Sequence, residues 1–85
     1  NFMKAIGADP DEHQEVRNVK LQNASLSGRA ISSLGLPDSV RVLRIVRGNA
    51  SLVSEKTVEV QVNDTLTLCG DIDEVDLCAR LFARR

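Results

Sequence analysis

Residues 40–47 (VRVLRIVR) constrain the fold of this chain more than any other segment. Four of these eight residues are β-branched, and β-branched side chains favour the extended backbone of a strand. Gly48 and Asn49 follow as a turn signal, and residues 51–53 are placed to supply the second arm of a hairpin. The segment therefore predicts a β-strand that begins a hairpin.

Three other segments alternate apolar and polar residues with the period of two that is typical of strands. They are residues 15–22 (EVRNVKLQ), residues 57–62 (TVEVQV) and residues 65–69 (TLTLC). All three are predicted to be strands of one small sheet.

Two segments have the apolar spacing of helices. In residues 26–34, four apolar side chains would share one helix face: Leu26, Ala30, Ile31 and Leu34. A second helix is predicted to begin at Asp71, whose carboxylate would accept from the unpaired amides of the first turn, with Glu74 as its capping-box partner. The predicted fold is α+β, a small, mostly antiparallel sheet or pseudo-barrel with the element order β-α-β-β-β-β-α.

Composition excludes several classes of function. The 85 residues suffice for one domain, and we expect residues 1–14 to be a linker or tail and residues 15–85 to be that domain. Eleven basic residues nearly balance twelve acidic ones, which argues against a dedicated nucleic-acid binder. The chain has no Trp or Tyr, so it lacks a stacking platform for single strands, and its core must be aliphatic.

The sequence contains no recognisable catalytic or metal-binding constellation. His13 follows an acidic segment with no serine or cysteine near it in sequence, so we expect no enzyme activity. Cys69 and Cys78 have a spacing that fits no zinc or redox motif; we expect two small buried residues, which would form a disulfide only if adjacent. The acids of residues 71–76 lack the order of a calcium loop and are predicted to stabilise a helix N-terminus. We expect no metal and no cofactor.

Three arginines occur along the strand predicted at residues 40–47. Strict alternation would place Arg41 and Arg47 on one face of the sheet and Arg44 on the other. Arg41 and Arg47, together with Arg29 from the preceding helix, would then form an anion site. Alternatively, the charges only protect an edge strand from aggregation. Both interpretations fit the sequence.

The C-terminal helix has a wider apolar surface than packing on one core face requires. Leu77 and Leu81 lie partly around the helix from the predicted core face. We therefore expect these two leucines to contact a partner.

Three segments, in this order and spacing, resemble the TrkA C-terminal domain, also called the RCK C-terminal domain. The family helix pattern L-x-G-x-x-I-x-x-L-x-L is matched by residues 26–36 (LSGRAISSLGL). The strand pattern V-x-V-L-x-I-x-R-G is matched by residues 40–48 (VRVLRIVRG). Residues 56–70 (KTVEVQVNDTLTLCG) are similar to the family pattern D-T-x-L-x-x-G-D-x-L-x-V-x-G. The resemblance covers about residues 15–83.

Among the departures from the family pattern, two concern a turn and the ligand. Asn63 stands where the family has the glycine of a Gly-Asp turn, and asparagine also tolerates left-handed backbone. Potassium-system members that bind cyclic di-AMP have an Asp-x-Arg element just before the second main strand. Residues 34–38 (LGLPD) occupy that place here and contain no arginine.

The resemblance implies a regulatory domain rather than an enzyme. Such domains lie on the cytoplasmic side of the inner membrane in bacterial potassium channels, potassium transporters, cation/proton antiporters and aspartate–alanine-type exchangers. They usually form dimers, and some bind a small ligand between protomers. We accordingly expect a homodimer, a membrane-embedded partner in the parent transporter and no nucleic acid.

Charge placement indicates where a small anionic ligand would bind. Five residues with a positive charge or an available backbone amide are predicted to form its site: Ser27, Gly28, Arg29, Arg41 and Arg47. The predicted dimer contacts are Leu77 and Leu81. The alternative function is a purely structural dimerisation module that binds no ligand.

Overall fold

A four-stranded antiparallel sheet with one α-helix against it forms the framework of residues 13–85, the part of the chain that this computed structural model describes. The strands are β1 (Gln14–Lys20), β2 (Arg41–Arg47), β3 (Ala50–Leu52) and β4 (Thr65–Asp71), and the helix is α1 (Ile72–Ala83). The order across the sheet is β1-β4-β2-β3, so β1 and β3 are its edges. The predicted α+β class with an antiparallel sheet is confirmed.

The two faces of the sheet have different environments. Leu66, Leu68 and Gly70 of β4 are buried, while the residues between them are partly exposed. We call the buried side the inner face and the other side the outer face. Helix α1 covers the inner face with four buried side chains: Val75, Cys78, Ala79 and Phe82. Apart from Phe82 and Cys78, the buried hydrophobic residues are aliphatic, as predicted.

The helix expected at residues 26–34 is replaced by two 3-10 turns, Ala24–Leu26 and Ile31–Ser33. Gly28 has a φ of +87°, a left-handed conformation that interrupts a right-handed helix. Its amide donates to the Val60 carbonyl at 2.7 Å instead of to a carbonyl one turn earlier. A neighbouring segment therefore satisfies the backbone in place of a helix.

The prediction of a strand at residues 57–62 is also wrong. The segment forms a single bridge, between Glu59 and Ala30, and belongs to none of the four strands. The Val58 carbonyl accepts from the Ile31 amide at 2.9 Å. This segment therefore pairs with the 3-10 turns rather than with the sheet.

The predicted linker falls largely outside the described residues. Residues 1–12 of that linker are not among them, and β1 begins at Gln14. No helix within residues 13–85 is both long enough and apolar enough to cross a membrane.

Gly70 lies where the end of β4 meets the loop before β2. A Cβ atom on Gly70 would overlap the Ser39 carbonyl oxygen and would lie 2.9 Å from both the Ser39 carbonyl carbon and the Val40 Cα. These are backbone atoms, so they cannot rotate aside. A glycine is required here because the loop backbone packs directly on the strand.

We expect Gly70→Ala to lower the free energy of unfolding by about 2–3 kcal/mol, because the added methyl group forces two backbones apart. Gly35→Ala is the matched control. A Cβ there meets no atom within 4 Å, and only its left-handed φ of +71° opposes alanine, at a cost of about 1 kcal/mol. Urea unfolding followed by far-UV circular dichroism measures both. Equal losses for the two variants would contradict the assigned contact.

Candidate functional site

A groove of about 600 Å³ lies beside β2. Three segments form its walls: the second 3-10 turn with the loop after it, the first half of β2, and the chain that follows β3. The lining residues from these segments are Ile31, Ser32, Leu36, Pro37, Asp38, Val40, Arg41, Val42, Ser54 and Lys56.

The groove exists because β3 is short. β3 pairs with β2 only along residues 45–47, so within the described chain no strand lies beside Arg41 and Val42 on that edge. The chain after β3 turns away to the second 3-10 turn, where the Ser32 amide donates to the Lys56 carbonyl at 3.0 Å. The space left between that turn and β2 is the groove.

The lining of the groove combines apolar residues with two cations. Val40 and Val42 are buried, whereas Arg41 and Lys56 are exposed. Asp38 is the one acidic residue in the lining. Guanidinium and ammonium groups donate charge-assisted hydrogen bonds to phosphate or carboxylate, and apolar side chains receive the uncharged part of a ligand. The arrangement is suited to a small anion that also has an apolar or aromatic part.

Of the five predicted ligand-binding residues, only Arg41 lines the groove; the others lie outside its lining: Ser27, Gly28, Arg29 and Arg47. The Gly28 amide is already bonded to the Val60 carbonyl at 2.7 Å. The Ser27 hydroxyl accepts from the Val62 amide at 3.2 Å. The structure thus uses Ser27 and Gly28 to hold the first 3-10 turn against the segment before β4.

A bulge in β2 separates Arg41 from Arg47. The register between β2 and β4 shifts just before Arg44, so Leu43 is an extra residue in the ladder. Arg41 and Arg44 therefore both pair with outward residues of β4, and Arg47 lies on the inner side of the sheet. The expectation that Arg41 and Arg47 share a face is wrong, because strict alternation fails at a bulge.

Arg47 is engaged with the buried carboxylate of Asp64. Its Nε and Nη2 donate to the two carboxylate oxygens at 2.8 Å each, and Nη2 also donates to the Glu59 carbonyl at 3.0 Å. The Asp64 side chain is 1% exposed and that of Arg47 is 36% exposed. The Gln61 amide donates a further hydrogen bond to Asp64 at 2.8 Å.

Asp64 remains ionised although it is buried. Burial acts to raise the pKa of Asp64, but the hydrogen bonds from Arg47 and the Gln61 amide, with the attraction of the Arg47 charge, outweigh it. The pKa of this carboxyl consequently lies below its ordinary value. The ion pair is therefore formed at neutral pH.

The two cysteines lie on opposite faces of the sheet. Cys69 is partly exposed on the outer face, Cys78 is buried on the side of α1 that packs against the inner face, and both are free thiols. The prediction of a buried residue holds for Cys78 only, and the sheet between them prevents a disulfide. Burial, and then the nearby Glu74 charge, raise the pKa of the Cys78 thiol.

Asp71 caps α1 as predicted, but the Glu74 side chain, expected to complete a capping box, instead accepts from the Ser39 hydroxyl. The Asp71 Oδ1 accepts from the Asp73 amide at 3.0 Å and from the Glu74 amide at 3.2 Å. Residues 13–85 contain no group of three His, Cys, Asp or Glu side chains arranged to hold a metal ion.

The surface of α1 that faces away from the sheet includes both leucines predicted to contact a partner. Leu77 is 62% exposed and Leu81 is 37% exposed. They are four residues apart in a regular helix and therefore lie on neighbouring parts of its surface.

Local sequence patterns do not reveal most of the groove. Ser54 and Lys56 reach it only because β3 ends after three residues, and no local pattern predicts that length. Val40 and Val42 were expected simply as strand residues. Pro37 was a usable signal, because it stops the chain from continuing a helix just where the groove wall turns towards β2.

The sequence profile of the TrkA-C domain matches residues 16–83. The chain belongs to the TrkA-C family. Two solved structures have a similar fold. One, an RCK domain with cda, has a TM-score of 0.75 at 18% identity, over 79% of this chain and 96% of that chain. The other, the RCK C domain of the potassium transport protein KtrA in complex with cyclic diadenosine monophosphate (c-di-AMP), has a TM-score of 0.69 at 15% identity, over 84% of this chain and 86% of that chain.

No curated protein sequence matches this TrkA-C chain. The family predicted from the three sequence segments is confirmed, and so is the fold that the family implies.

We expect acid to remove the stability that Asp64 gives to the TrkA-C fold. The folded-state pKa of Asp64 lies below an unfolded value of about 3.9. Its contribution is thus complete above about pH 5 and is lost as the pH falls through the folded-state value. Because Arg47 keeps access to water, we expect Asp64→Asn to cost only about 2 kcal/mol at pH 7, and the difference from the wild type to shrink towards pH 2.

Urea unfolding at pH 7, 5 and 3 measures this difference. Glu55→Gln, at an exposed position, is the control and should change stability little at any of these pH values. A cost for Asp64→Asn that is the same at all three would show that the ion pair is not what acid disrupts.

Proposed function

We propose that this chain is a regulatory domain that binds a small anionic ligand in the groove beside β2, and that it is not an enzyme. The observation that carries the proposal is that the lining of one groove brings two exposed cations, Arg41 and Lys56, together with the buried valines Val40 and Val42. Membership of the TrkA-C family supports the regulatory role. A bound ligand can bias a parent protein only through its differential affinity for two states of that protein.

We propose c-di-AMP as the first ligand to test. The KtrA domain of similar fold is in complex with c-di-AMP, which makes it the natural probe. Its two phosphates would require positive charge, and its two adenines would require apolar surface. Residues 34–38 supply no arginine, so Arg41 and Lys56 would provide the charge. Ser27, Gly28, Arg29 and Arg47 stay predicted ligand-binding residues, although they do not line this groove.

The parent protein in this proposal is a bacterial ion or solute transporter. The domain would lie on the cytoplasmic side of the inner membrane, in a cation or potassium transport system or in an aspartate–alanine-type exchanger. It would act as a homodimer attached to the membrane-embedded part, and it would not bind nucleic acid.

We expect Arg41→Ala to weaken c-di-AMP binding by about tenfold to a hundredfold, as for the loss of one charge-assisted hydrogen bond to phosphate. Arg44→Ala is the matched control, because Arg44 lies on the same outer face of β2 but does not line the groove. Isothermal titration calorimetry on the chain gives both affinities.

A thermal-shift panel compares the melting temperature of the chain with c-di-AMP, ATP, NADH, aspartate and alanine. The compound that raises it identifies the chemical class of the ligand. A ligand at a hundred times its dissociation constant should add about 2.7 kcal/mol to the folded state. The ligand site is rejected if none of these compounds raises the melting temperature, or if Arg44→Ala reduces the effect as much as Arg41→Ala does.

A second candidate function is a purely structural dimerisation module. The exposed pair Leu77 and Leu81 on α1 favours it, because large apolar side chains next to each other on a helix surface are suited to a partner helix or sheet. A specific dimer would bury roughly 1,000 Å² or more in total. This function requires no ligand, so a flat thermal-shift panel would favour it.

We expect Leu77→Asp and Leu81→Asp to shift the chain from dimer to monomer, because each places a carboxylate in the apolar contact. Val53→Asp is the control, since Val53 is 68% exposed and follows β3 rather than lying on α1. Sedimentation velocity measures the change. An unchanged profile for both leucine variants would remove α1 from the interface.

A further inference from the structure

One short loop, residues 37–40, lies between the groove and α1 and contacts both the groove lining and the helix. Pro37, Asp38 and Val40 line the groove, while Ser39 contacts Gly70 of β4 and Glu74 of α1. The Val40 amide donates to the Pro37 carbonyl at 2.9 Å, which closes the loop into a turn. The loop is therefore a compact unit with the groove on one side.

The other side of this loop rests on the start of α1. The Ser39 hydroxyl donates to Glu74 Oε1 at 2.9 Å, in the first turn of the helix. The Ser39 backbone also covers Gly70 so closely that a Cβ has no room there. Gly70 immediately precedes Asp71, the residue that caps α1. Two independent contacts thus join the groove wall to the helix N-terminus.

We propose that Ser39 is a positioning residue that couples the groove to α1, so that occupancy of the groove changes the position or order of the helix. The coupling rests on the proposed function, because it assigns a consequence to a ligand in that groove. Close-packed contacts do not absorb a displacement, so a shift of the loop is passed to the residue against which it packs.

The surface that would respond is the one proposed to contact a partner. Leu77 lies one turn after Glu74, and Leu81 lies one turn further. A ligand that orders the loop would therefore also order the helix surface that contains both leucines. The regulated quantity would be the affinity of α1 for its partner.

The first experiment uses no ligand. Pro37→Gly loosens the loop, and we expect the amides of residues 73–78 to exchange with deuterium about fivefold faster, equivalent to the loss of one hydrogen bond. Asn49→Gly, in the turn between β2 and β3, is the control and should leave those amides unchanged. In a Ser39→Ala background, Pro37→Gly should add clearly less, because the hydroxyl contact with Glu74 is gone and only the backbone contact with Gly70 still joins the loop to the helix. An equal effect of Pro37→Gly with and without the Ser39 hydroxyl overturns the coupling.

The second experiment adds saturating c-di-AMP to the same 85-residue chain. In the wild type, we expect slower exchange both in residues 37–42 and in the first turns of α1. Ser39→Ala should keep the slower exchange in the groove residues and lose most of the slower exchange in the helix, because only the backbone contact with Gly70 remains. Ser33→Ala, at another exposed serine of the same region, should behave as the wild type. Glu74→Ala should resemble Ser39→Ala, whereas Glu74→Gln retains an acceptor oxygen and should restore the response.

The two experiments separate the coupling from the ligand assignment. If c-di-AMP protects nothing in the wild type while Pro37→Gly still loosens α1 through Ser39, the ligand assignment falls and the coupling is supported. If c-di-AMP protects the helix equally in Ser39→Ala, the coupling is overturned and the ligand site is supported. A purely stabilising role for Ser39 predicts uniformly faster exchange in both regions, which would also overturn the coupling.

Discussion

The rest of the structure depends on the ion pair between the buried carboxylate of Asp64 and the guanidinium of Arg47. The Asp64 side chain binds Arg47 of β2 and the Gln61 amide, and the Asp64 carbonyl accepts from the Leu21 amide at 2.8 Å. The Asn63 amide donates back to the Leu21 carbonyl at 2.8 Å. The end of β1, the end of β2 and the start of β4 thus meet at one residue. A buried charge is tolerated only while its partners stay in place. This junction therefore fixes the two 3-10 turns and residues 57–62, which pack against each other beside the sheet.

Local chemistry was sufficient to predict most of the framework. Turn residues and β-branched content located β2, and the acids at the start of α1 predicted its cap, because both signals act within a few residues. The prediction of a strand at residues 57–62 is wrong because alternation of apolar and polar residues arises in any extended segment with one buried side. Here Val58 and Val60 face inward between polar residues. The prediction of a helix at residues 26–34 is wrong because apolar spacing does not reveal that another segment accepts the hydrogen bonds of these backbone amides.

The candidate site was less predictable because it depends on pairing between distant segments. Arg41 was identified from its charge, yet its face is set by a register shift against β4 that the residues of β2 do not encode alone. Lys56 was missed because it is brought to the groove by the early end of β3. Arg47 was assigned to an anion site, and its carboxylate partner proved to be Asp64, seventeen residues away. In each case the missing information is tertiary.

The extra residue in β2 affects how the length of this strand can vary among related chains. Leu43 stands outside the ladder, so Val42 and Arg44 already face as they would in a regular strand that is one residue shorter. A chain without Leu43 would keep both faces intact, whereas a one-residue insertion or deletion elsewhere in β2 would turn Arg41 or Ile45 to the wrong side. Alignments of relatives with shorter strands should therefore place their gap at Leu43, the position where evolution can change length without exchanging core and surface.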